Sequence, residues 1–184
     1  MRFAEFLRAT VLVSAASATL LALLTLAGVN SAGDDDVGLL GACWWLIAAI
    51  LGISLGARNG ASPPIAALLA NARSQMGLPE LSPARTVLNR LWPIILCAIV
   101  AGGFAFALPQ VTAVAAGFPM IWALAWRRQA AAVTAIEERD GARFYVEHTS
   151  PVRTIKLVRT PGFRSNLMEM QQNRSASGVA ERGA

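Results

Sequence analysis

The chain has 184 residues, of which 55% are hydrophobic and only 15% charged, with a formal net charge of +5. A soluble domain of ordinary type carries about a quarter charged residues, so this composition supplies too few to cover a water-facing surface and argues for a membrane protein. Three long stretches hold no charge at all: residues 9–33, 37–57 and 91–126.

A bilayer core about 30 Å thick is crossed by roughly 20 apolar residues of helix at 1.5 Å each. The first stretch, with Arg2 and Arg8 before it, predicts a span over about 9–29. A secretory signal has a shorter apolar core, about 7–15 residues, so a retained anchor is expected. Ser14, Ser17 and Thr19 lie within this span, where hydroxyls bond back to helix carbonyls or across to a neighbour. Three aspartates, Asp34 to Asp36, form the following loop. The second span is expected over 37–57, with Trp44 and Trp45 near the outer boundary, where indoles prefer to sit. Ala48, Gly52 and Gly56 recur at four-residue spacing. Such small-residue stripes let helices approach closely, within one bundle or between two copies.

The middle loop predicts an amphipathic helix over 63–76. Ser62 offers the N-cap, Pro63 the first position and Gly77 the stop, while Ile65, Leu68, Leu69, Ala72 and Met76 recur at helical spacing. This helix either lies in the inner interface or docks beneath the bundle. Ser82 and Pro83 then lead into the next helix.

The third stretch is 36 residues, too long for one crossing. Pro109 at its midpoint removes a backbone donor and marks a break, giving spans over about 88–108 and 111–127. Gly102 and Gly103 extend a second small-residue face in the former. Trp122, Trp126, Arg127 and Arg128 carry the aromatic-then-basic signature of an inner boundary. The helix is expected to continue through the alanines to Asp140-Gly141. With four spans and an inside N-terminus, all 16 basic residues fall on the cytoplasmic side, as positive residues translocate poorly.

In the tail, residues 143–148 and 154–159 are rich in strand formers and broken by Thr149, Ser150 and Pro151, which predicts a β-hairpin. A lone hairpin is marginal in water, so it requires support from the membrane surface, the middle loop or another protein. Residues 165–184 turn polar and read as disordered. The expected organisation is thus an all-α membrane protein. Residues 1–128 form a four-transmembrane-helix bundle with both termini inside; 129–164 form a helix extension with a small cytosolic β-hairpin; 165–184 form a partly disordered tail.

Sites of chemistry are sparse. Cys43 and Cys97 are expected at depths differing by roughly 10 Å, beyond the reach of a disulfide, and two Cys with one His are too few for a metal site. Small multidrug exporters resemble the four-helix layout but depend on a buried membrane acid, which these spans lack. Glu147 and His148 are neighbours on a strand and point to opposite faces, so they make no acid–base pair. No phosphate-binding glycine loop is present, and no catalytic residue or cofactor is expected. From residue 127 onward there are ten basic and six acidic residues. Arg143, Tyr145, Arg153, Lys156, Arg159 and Arg164 are the candidate contacts to a partner protein or to anionic lipid, where each charge contributes about 1 kcal/mol. Nucleic-acid binding is not expected, because acids interrupt the basic run. The expected role is a non-enzymatic membrane subunit or scaffold in contact with the lipid bilayer, a protein partner or a second copy. The alternative is an oligomeric pore or transporter subunit lined by Ser14, Ser17, Thr19 or Ser54. The ratio of 15 Arg to one Lys, with abundant Ala, suggests a GC-rich bacterial genome and hence a bacterial plasma membrane.

Overall fold

The computed structural model describes residues 1–57, 60–74, 83–146 and 155–161, with backbone alone at 73–74, 83–86 and 161. The charge-poor sequence folds into long helices: α1 (Phe3–Ala32), α2 (Asp35–Leu55), α4 (Pro83–Gly103) and α5 (Pro109–Trp126). Two shorter helices, α3 (Pro63–Ala70) and α6 (Gln129–Asp140), and three strands, β1 (Arg73–Ser74), β2 (Ala142–Val146) and β3 (Leu157–Pro161), gather at one end.

Local chemistry explains where the long helices stop. α1 ends at Gly33, whose left-handed φ of 66° lets its N–H bond back to Val29 O. Asp34 then caps α2 by accepting from the Val37 N–H, with Asp35 and Asp36 in its first turn, where carboxylates complement the positive end of the helix dipole. At the other extreme of the chain, Gly141 ends α6 with φ 59°. α1 and α2 are each long and apolar enough to cross a membrane. α4 and α5, at 21 and 18 residues, reach about 32 and 27 Å.

Burial across these helices is inverted relative to a water-soluble protein. The large apolar side chains face outward: Leu12 and Leu23 on α1, Leu40 and Ile50 on α2, Ile99 on α4 and Phe118 on α5 are all exposed. The interior is built from small or hydroxylated residues, including Thr10, Ser14, Thr25, Ala48, Thr112 and Ala116. An exposed apolar surface of this size marks a site of contact with another protein or with a membrane. Close helix contact through small residues is common between membrane helices.

The short elements form a second core of the opposite kind. Phe3, Phe6 and Leu7 of α1 pack with Ile65 and Leu69 of α3, Leu91 of α4, Val133 of α6, and Phe144, Val146 and Leu157 of the sheet. Here large side chains are buried. Among the described residues, no large apolar side chain from residue 123 onward is exposed. β2 and β3 pair antiparallel with Phe144 opposite Arg159 and Val146 opposite Leu157, and β1 runs parallel to β3 with Arg73 opposite Val158. On the free side of β2, Arg2 bridges to Tyr145 and the Val146 N–H donates to Met1 O at 3.1 Å. The hairpin is therefore flanked on both edges by chain segments from elsewhere, one of them the middle loop.

Three expected boundaries are corrected. The loop helix stops at Ala70, not at 76, because residues 73–74 are drawn into pairing with β3; its expected stop, Gly77, and the Ser82 cap lie outside the described residues. The helix expected to reach 108 ends at Gly103, and turns over 104–108 make the connection to α5. Nor does α5 run straight into the alanines. The chain turns at Arg127 and Arg128, and α6 restarts with Gln129, whose side-chain oxygen accepts from the Ser62 N–H at 2.9 Å. Ser62 thus sits at the N-cap of α3 without using its own side chain. The 147–154 break, the Glu147 and His148 pair and the 165–184 tail lie outside the described residues.

Candidate functional site

The polar end is organised around Glu137. Its position in the last turns of α6 buries the carboxylate, and each oxygen has a partner: Oε2 accepts from Arg2 Nη2 at 3.0 Å, and Oε1 accepts from the Phe144 N–H at 3.0 Å. Glu5 adds a second tie by accepting from the Arg2 backbone N–H. One buried acid therefore fixes the start of the chain against β2, and an ionised pair that is also hydrogen-bonded can tolerate burial. Farther out, Arg139 donates to the Asp140 carboxylate at 2.8 Å. That bond holds the Asp140 carboxyl below its ordinary range. Its ionised form is then favoured in the folded chain, an advantage lost only as pH falls through the lowered value.

Alternation along β2 sets what this end presents. Ala142, Phe144 and Val146 turn into the core, Arg143 is exposed and Tyr145 half-buried. This alternation puts Arg143 and Tyr145 on the opposite face from Phe144, a face that they share with their cross-strand partners Thr160 and the buried Val158. Arg159, opposite Phe144, belongs to the core-side face, where it is exposed at the rim and attracts Asp140. Lys156 is exposed just before β3. The structure thus divides the basic residues picked from sequence between two faces. Arg153 and Arg164 lie outside the described residues.

Within the bundle, the α2 stripe meets α5 of the same chain. Ala48 is fully buried. A Cβ on Gly52 would lie 2.7 Å from Leu124 Cβ, and one on Gly56 would collide with Leu124 O. Gly102 faces Leu24 of α1, and Gly103 has nothing within 4 Å. Sequence reading missed two closer approaches, Gly28 against Ala105 O and Gly117 against the Trp44 indole. Trp44 and Trp45 donate their indole N–H groups to Val114 O and Ala113 O at 3.1 and 2.8 Å, so they pin α2 to α5.

A cleft of about 460 Å³ opens between α1, α4 and α5. Its lining includes Ser14, Ser17, Pro93, Cys97, Phe118 and Trp122. Most hydroxyls of the bundle bond back to their own helix: Thr10 to Phe6 O, Thr25 to Leu21 O and Thr112 to Pro109 O. Ser14 Oγ is buried and has no hydrogen-bond partner among the described residues. The four hydroxyls considered for a pore do not converge. Ser14 and Ser17 line the cleft, whereas Thr19 and Ser54 are exposed and bond back to Ala15 O and Leu51 O. Both cysteines are free. Among the described residues no group of three or more His, Cys, Asp or Glu gathers.

Comparison with protein-family models, with curated proteins and with solved structures finds no match for this chain.

Proposed function

We propose that the chain is a four-span protein of the bacterial plasma membrane, with both termini and the middle loop in the cytoplasm. It acts as a non-enzymatic subunit or scaffold that presents a basic sheet to a partner protein or to the inner leaflet. The observation that carries this reading is the pairing of two opposite surfaces in one chain: a bundle with large apolar residues outside, and a compact end where residues 1–7, α3, α6 and the sheet share a core. If that apolar surface lies in lipid, each pair of long helices crosses and returns, which places every described basic residue on the side of the sheet. Inside placement of Arg and Lys is the orientation that insertion favours.

The scattered hydroxyls favour a scaffold over a pore within one chain, since Ser14 and Ser17 line the cleft while Thr19 and Ser54 lie outside and bond back to their own helices. Docking is assigned to the outward face of β2, with Arg143 and Tyr145, and to Lys156 beside it. Truncation of the tail would strip the core from Phe3 and Leu7, so charge reversal is the better test. Tagged full-length protein is purified in mild detergent beside an Arg143→Glu/Lys156→Glu double variant, and both are tested for sedimentation with anionic vesicles. The double variant is expected to lose a stoichiometric partner or its vesicle binding. Equal recovery of partners and lipid by both proteins would refute the docking role.

A further inference from the structure

Pro93 in α4 and Pro119 in α5 both line the cleft. Proline in a helix interior lacks the N–H that would bond four residues back, and here one such residue from each of the two helices borders the same gap. α1 closes the back of the gap with Ser14, Ser17 and Leu21. We propose that this cleft is a lateral lipid site that takes one acyl chain of a cytoplasmic-leaflet phospholipid, whose ester carbonyl accepts a hydrogen bond from Ser14 Oγ. The inference rests on the membrane reading above.

Four observations converge on that occupant. The volume of about 460 Å³ lies in the range of small-molecule sites and accommodates part of a single acyl chain. The lining is almost wholly apolar and reaches the exposed apolar surface through Phe118 and Trp122, which belong to both, so entry is sideways from lipid. Ser14 stands at the right depth. It directly follows Val13, which packs against the polar-end core, so it stands where that core meets the bundle and, on the membrane reading, near the glycerol esters. Finally, a buried hydroxyl without a partner is unfavourable, and a carbonyl acceptor relieves it.

The full chain is reconstituted in liposomes containing a trace of phospholipid with a photoreactive diazirine on the acyl chain, and cross-linked peptides are mapped by mass spectrometry. Labelling of 93–98 and 115–122 is expected to exceed that of the outer α2 face, 46–53, several-fold. Cys97→Trp, which fills the cleft, should reduce the cleft signal to the α2 level without changing α2. Ser14→Ala, which adds no volume, should retain less co-purified phospholipid through detergent exchange. Equal labelling of both faces in the native protein overturns the lipid site and leaves the membrane reading intact. Absence of label on α2 as well as in the cleft overturns both.

Discussion

Glu137 ties the start of the chain and β2 to α6 with one carboxylate. Replacing it with alanine leaves the Phe144 N–H and the Arg2 guanidinium without their shared acceptor. The expected cost is about 1–3 kcal/mol, read as a lower midpoint in detergent thermal unfolding. Glu137→Gln keeps an oxygen for Phe144 and should fall between the two. An alanine variant that melts with the native protein would show that the ion pair contributes nothing. None of this was legible locally: the run Glu137-Glu138-Arg139-Asp140-Gly141 looks purposeful, but Arg2 lies 135 positions away. Only its last element, the Asp140-Gly141 stop, follows from sequence, because a glycine after a helix readily takes the left-handed conformation. Trp44 and Trp45 mislead in the opposite direction. Their boundary position is the general habit of indoles, whereas here both N–H groups are spent on α5 carbonyls.

Among the helices, glycine spacing shows that something approaches closely but not what. The α2 stripe was readable as a groove, and its contact with α5 inside the same chain depends on helix order in space. Gly28, four residues before Ala32, and Gly117, four after Ala113, sit at the same small-residue spacing, but the spacing alone did not single them out from the many other alanines and glycines. A paired substitution separates contact from propensity. Gly28→Ala places a methyl on the Ala105 carbonyl and should cost about 1–3 kcal/mol, as overpacking does. Gly103→Ala meets nothing, and its effect should be neutral or favourable by up to about 1 kcal/mol. Equal melting shifts in the two variants would deny that the α1 contact is tight. The β2–β3 pair was legible because alternation at 143–146 is a local signal. β1 was not: Ala72 and Met76 sit at helical spacing, and two residues of strand carry no pattern of their own, so only the presence of β3 reveals them. The turn at Arg127-Arg128 was hidden for a similar reason, since the alanines that follow favour helix in either direction.

For the whole molecule, uneven charge was the strongest signal in the sequence, and it pointed to paired crossings with the basic segments gathered at one end. The proposed orientation is checked with single cysteines in a Cys43→Ser/Cys97→Ser background. Asp35→Cys should react with a membrane-impermeant maleimide on intact cells, and Arg143→Cys only after permeabilisation. The reverse pattern would invert the topology. What charge could not convey is that the gathered segments build a core together, because Phe3, Leu91 and Phe144 reveal their association only in three dimensions. That core has a bearing on how the protein is made. Phe3, Phe6 and Leu7 are made before all four long helices are complete, and β2 and β3, which help to cover them, are made after the last of these helices. The growing chain therefore carries an open apolar end until β2 and β3 are made. Contacts this distant in sequence close slowly, and a chain cut short before Val146 leaves Phe3, Phe6 and Leu7 without their cover from the sheet.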